Sequence, residues 1–110
     1  MNSVSPSIPH HLALPRHEIV AFCQRWKITA LSLFGSVLRD DFRLDSDVDV
    51  LVSFAPESRW SLLDLARIQR ELAAILERNV DLVTRSSVEN SPNWIRREAI
   101  LRTAQPIYTA

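Results

Sequence analysis

A chain of 110 residues has the length of one domain, and a hydrophobic fraction of 46% supplies one core with no room for a second. Lysine plus arginine and aspartate plus glutamate both number 13, so the formal net charge is zero. The basic field that would hold a long nucleic acid is therefore absent, although a small anionic substrate needs only a local pocket.

Residues 1–15 contain serine and proline breakers and little periodicity, which predicts a flexible N-terminal arm ahead of a single domain over 16–110. His10 and His11 lie in this arm without further ligands spaced around them, so they read as solvent-exposed. No charged segment leads into an apolar stretch, and no apolar run approaches bilayer length, so neither export nor membrane insertion is expected. From Arg16 to Trp26, Ile19, Val20, Phe22, Cys23 and Trp26 recur at helical spacing and predict an amphipathic first helix. Cys23 is the one cysteine, which excludes an intramolecular disulfide, fits a reducing cytoplasm and reads as a small buried residue.

Ile28 to Phe34 reads as a strand, broken by Gly35-Ser36, after which Val37 to Phe42 can form only a short helix. Asp47 to Phe54 alternates strictly: Val48, Val50, Val52 and Phe54 share one face, and Asp47, Asp49, Leu51 and Ser53 share the other. Ser61 followed three residues later by Asp64 resembles a capping box, opening the longest helix with a buried stripe of Leu62, Leu65, Ile68, Leu72, Ile75 and Leu76. Asn79 is suited to a left-handed stop before a third strand, Val80 to Thr84. Pro92 to Ala104 predicts a last helix with Trp94, Ile95, Ala99 and Ile100 facing inward, and Pro106 to Thr109 a short edge strand. Helices alternate with strands, so the expected class is α/β, with helices packed on one sheet.

Three features carry chemistry. Gly35 is the sole glycine and sits at a strand-to-helix junction. Without a Cβ it lets backbone approach a ligand, the helix start offers unpaired N–H groups, and Ser36 adds a hydroxyl, so the pair can cradle phosphate or be a simple turn. Asp47 and Asp49 project from one face of a strand, where like charges repel and resist desolvation. A divalent cation would compensate them, since carboxylate oxygens are hard ligands suited to magnesium; a solvated outer strand face is the alternative. Asp81 interrupts the third strand with another acid, and if that strand lies beside the second, three carboxylates can converge. Three such acids can hold two ions about 3.5–4 Å apart.

The stretch Leu33 to Phe54, LFGSVLRDDFRLDSDVDVLVSF, resembles the signature of the polymerase-β-like nucleotidyltransferase superfamily: Gly-Ser, ten residues, then Asp-x-Asp on a strand. Val80 to Thr84 is similar to that family's third-carboxylate strand, and the likeness runs over roughly Arg16 to Tyr108. The shortness of the chain and Arg39 after Gly35-Ser36 are similar to the minimal nucleotidyltransferases that act as antitoxins of HEPN ribonuclease toxins. The resemblance implies an α+β fold with a mixed sheet. It also implies two magnesium ions, replaceable by manganese, on Asp47, Asp49 and Asp81, and ATP as substrate held by Gly35, Ser36 and Arg39. The implied activity is transfer of AMP to a tyrosine of the partner toxin, with a homo- or hetero-oligomer compatible with it. Asp40 departs from the family pattern, which often has glycine there; the departure concerns the turn and not the metal ligands.

Alternatives remain at the level of sequence. Arg39 can neutralise triphosphate or pair with Asp40 or Asp45. Trp60 and Trp94 read as core, with stacking on adenine or a partner surface as the other role. A non-catalytic antitoxin that blocks its toxin sterically, or an enzyme acting on a small-molecule acceptor, would share the same motifs. The intact acids weigh against the first, and the lack of a further domain to hold a small acceptor weighs against the second.

Overall fold

A computed structural model of the chain describes residues 14–35 and 47–110. The short helix expected over Val37 to Phe42, Ser36 and Arg39 of the candidate site, and most of the N-terminal arm lie outside the described residues. Within them the order is α1 (Arg16–Arg25), β1 (Ile28–Phe34), β2 (Val48–Phe54), α2 (Leu62–Leu76), β3 (Val80–Thr84), α3 (Arg85–Glu89), α4 (Trp94–Thr103) and β4 (Gln105–Thr109).

The strands form one mixed sheet in the order β3-β2-β1-β4. β1 runs antiparallel to both β2 and β4, while β2 and β3 are parallel and joined by α2 as a crossover. The class is α/β in the looser, α+β sense. The alternation of β2 decides how the layers are built. Val48, Val50 and Val52 are buried against Ile19, Phe22 and Cys23 of α1 and Ile68, Leu72 and Leu76 of α2, which form the main core. Leu51, on the other side, packs with Phe34, Val88 of α3 and Ile100 of α4 in a second, smaller cluster.

Local chemistry sets the element boundaries. Ser61 accepts a hydrogen bond from the Asp64 backbone N–H, and Asp64 accepts one from the Ser61 backbone N–H, completing the expected capping box. Hydrogen bonds donated to the Asp64 carboxylate by the Ser61 backbone N–H and by the Ser61 hydroxyl hold it below its ordinary range. Burial pushes the Cys23 thiol up to about 12, so the residue is an inert core group, as its position on α1 predicts. Lys27 takes a left-handed turn between α1 and β1, and the strand that follows begins at Ile28.

Four details differ from the sequence reading. The left-handed residue ending α2 is Glu77 and not Asn79, because the helix stops at Leu76, the last position of the buried stripe. Leu62 is 86% exposed, since it is the first helical residue and the stripe reaches the sheet only further along, with Ile68, Leu72 and Leu76 buried. α4 buries Ile100 but leaves Trp94 and Ile95 exposed, 62% and 65%, along with Ala99, because it meets the sheet only near its C-terminal end. Trp94 is therefore not core, whereas Trp60 is: its ring meets Trp26 edge-on and its Nε1 donates to the Trp26 carbonyl. α3 was not expected at all.

Candidate active site

β2 places the acids. Asp49 is the second residue of the strand, opposite Phe34 of β1 on one side and Asp81 of β3 on the other. Residues in register on neighbouring strands point to the same face, so Asp49 and Asp81 stand abreast on the face of the small cluster. Asp47 immediately precedes β2, two residues from Asp49, and continues the same alternation. The start of β2 is anchored by the Val48 N–H, which donates to the Asn79 carbonyl at 2.8 Å. The sheet face below the acids is closed by Leu51, Phe34, Val88 and Ile100; Asp47 and Asp81 themselves are exposed and Asp49 is half-buried.

Gly35 completes this end of the sheet. It follows the buried Phe34, has φ +77°, and lies so near Asp49 that a Cβ built on it would overlap Oδ2 and stand 3.2 Å from Cγ. The left-handed backbone and the close approach both require glycine at this point.

Asp47, Asp49, Asp81 and Gly35 thus share one end of one sheet. Their carboxylates are not drawn into a finished ligand set: among the described residues, no three His, Cys, Asp or Glu side chains are gathered closely enough to hold a metal ion. Like charges repel, and exposure lets Asp47 and Asp81 turn freely, so a cation would have to draw them in. The donor chemistry nonetheless fits a hard divalent ion, because all three are carboxylates and two are adjacent in register.

A cavity of about 550 Å³ opens elsewhere, at the far ends of β2 and β3, lined in part by Phe54, Trp60, Leu65, Thr84 and Ser86. Its carboxylate, Glu89, is paired with Arg85. That hollow lacks the grouped acids that transfer chemistry needs, so the acidic end of the sheet is the better candidate. Sequence reasoning missed this cavity because α3, which forms one wall, is too short to show a helical period. Among the described residues no helix is long and apolar enough to cross a membrane.

Comparison with known proteins gives a consistent picture. The family model for the nucleotidyltransferase domain matches residues 19–105. The chain is 39% identical over 67 residues to protein adenylyltransferase MntA of Thermococcus cleftensis, covering 61% of this chain and 66% of that protein, just under two thirds. A solved chain provisionally named a minimal nucleotidyltransferase is 36% identical, with a TM-score of 0.61 over 81% of this chain and 85% of that one. A chain in the structure of a tri-AMPylated Shewanella oneidensis HEPN toxin in complex with MNT antitoxin superimposes with a TM-score of 0.57 over 86% of this chain and 69% of that one. At 18% identity, that last match speaks for the fold alone.

Proposed function

The chain belongs to the nucleotidyltransferase domain family, and on that premise we propose that it is a metal-dependent protein adenylyltransferase, moving AMP from ATP to a tyrosine of a HEPN-type toxin whose antitoxin it is. The observation that carries the reading is the juxtaposition of Asp49 and Asp81 in register on one face, with Gly35 against Asp49. The protein adenylyltransferase name of the Thermococcus cleftensis relative supports AMP as the transferred group. A chain of like fold occurs in a complex with a tri-AMPylated toxin, which makes a toxin the acceptor to test.

In this reading Asp47, Asp49 and Asp81 would hold magnesium, which would supply charge neutralisation on the triphosphate and lower the pKa of the attacking hydroxyl. Asp81, on the strand edge nearest solvent, accepts the proton of the tyrosine hydroxyl. Gly35, with Ser36 and Arg39, orients the β- and γ-phosphates so that pyrophosphate leaves in line with the attacking oxygen. The new bond joins the tyrosine oxygen to the α-phosphorus, and the bond from that phosphorus to pyrophosphate breaks. A neutral chain has no field for a polymer template, which favours a docked protein hydroxyl over a nucleic acid end.

The test is to incubate the chain with its partner toxin, magnesium and ATP, and to weigh the toxin by mass spectrometry. One or more AMP increments are expected, and Asp47→Ala with Asp49→Ala should abolish them while the fold and toxin docking persist. Equal neutralisation of the toxin by the double variant, with no mass change in either case, would establish the steric antitoxin instead. AMP transfer to a small-molecule acceptor with none to the toxin would establish the third reading.

A further inference from the structure

Gly35 enters the proposed function as part of a phosphate cradle, but its surroundings on the described side are not phosphate-like. The nearest side-chain atoms to the missing Cβ are Oδ2, Cγ and Cβ of Asp49, in that order. We infer that Gly35 is a positioning residue for Asp49: its bare α-carbon leaves the space beside the end of β1 in which the Asp49 carboxylate lies.

The structure builds this in three steps. Phe34, buried among Leu51, Val88 and Ile100, pins the end of β1 to the sheet. Pairing of Phe34 with Asp49 then fixes how near the next residue comes to that carboxylate. Finally, φ of +77° at Gly35 turns the missing Cβ onto Oδ2. A side chain at this position would meet the far end of the Asp49 side chain before it met any backbone. The expected response is therefore displacement of the carboxylate from its place beside Gly35 and not collapse of the fold. A metal ion needing both oxygen donors would lose its geometry, as it does when outer residues that orient ligands are removed.

This inference rests on the proposed metal site, and its test separates the two. Manganese binding without nucleotide is measured by electron paramagnetic resonance for the parent, for Gly35→Ala and for Gly35→D-Ala made by chemical ligation. D-alanine favours the left-handed backbone and directs its methyl away from Asp49. Gly35→Ala should weaken manganese binding by roughly tenfold or more, and Gly35→D-Ala should bind as the parent does. Thermal melts without metal add a second readout: Gly35→Ala should destabilise the parent more than it destabilises Asp49→Ala, where the carboxylate is gone.

Additive melts, or equal loss of manganese by both alanine enantiomers, would overturn the positioning role. So would unchanged manganese binding in Gly35→Ala accompanied by weakened ATP binding, which is the signature of a phosphate cradle alone. A chain that binds no manganese would overturn the metal site in the proposed function, and the coupling in the melts would still decide whether Gly35 positions Asp49. Failure of AMP transfer to the toxin, with manganese binding and coupling intact, would fall on the acceptor and leave Gly35 in its role.

Discussion

The two faces of the sheet are built from the same strands but for different ends. On one face, Val48, Val50 and Val52 of β2 meet two full helices, and the core there includes Phe22, Leu31, Leu33, Ile68 and Leu72 with no measurable exposure. On the other, a cluster of four residues covers only part of β2, and Asp49 and Asp81 occupy what the short α3 and the end of α4 leave open. A strand with period 2 can serve both demands at once, since moving one residue along switches from core to site. The difference teaches that the main core and the acids are separated along β2 by residue parity.

The comparison breaks first at Leu72. It is fully buried between α2 and the sheet, so Leu72→Ala should cost about 3–5 kcal/mol, a large part of the stability of a small domain. Ile100→Ala, in the smaller cluster at the margin of the fold, should cost about 2 kcal/mol. Ile100 also backs Phe34, so its loss should weaken manganese binding, whereas in Leu72→Ala the folded fraction should bind normally. Urea titrations with and without manganese measure both. Equal costs for the two variants, or a metal defect in Leu72→Ala alone, would contradict the division of the faces.

A smaller effect is expected at the exposed start of α2. Removing the cap with Ser61→Ala should cost about 1 kcal/mol, since the Ser61 hydroxyl accepts from the Asp64 N–H. The Asp64 carboxyl is lowered by hydrogen bonds from Ser61. A carboxyl lower in the folded state than in the unfolded one stabilises above its unfolded pKa and stops doing so as pH falls through its folded pKa. Asp64→Asn should therefore be less stable than the parent at neutral pH, and the gap should close on acidification below the carboxylate range. Melts across that pH range check the sign; a gap that widens in acid would contradict it.

How much of this was legible in the sequence follows from what periodicity can encode. β1 and β3 match their predicted limits because apolar runs bounded by Lys27, Gly35, Asn79 and Arg85 leave little freedom. The acids were visible because an aspartate on an otherwise apolar strand stands out, and their adjacency followed once β3 was placed beside β2. Convergence of three carboxylates was not encoded in the same way, because side-chain rotation answers to charge and not to register. The inward face of α4 was misread for a related reason. Its apolar residues, Trp94, Ile95, Ala99, Ile100 and Leu101, are spread around the helix, so spacing could not say that contact begins only near Ile100. α3 spans five residues, below the length at which a helical period appears.

The smallest stability effect should come from Trp94. Trp94 opens α4 with 62% of its surface exposed, whereas Trp60 touches Trp26 and Phe54 and donates to the Trp26 carbonyl. Two tryptophans of equal hydrophobicity thus occupy opposite environments. Trp94→Ala should change stability by no more than about 0.5 kcal/mol, the range of surface substitutions. Trp60→Ala removes an aromatic contact and a hydrogen bond and should cost several times more. Fluorescence gives an independent check, because iodide should quench the emission that Trp94→Ala removes and leave most of what remains. A Trp94→Ala protein that melts as early as Trp60→Ala would mean that the start of α4 is covered in solution. The small face would then extend further over the sheet, toward the acids, than the division of the two faces allows.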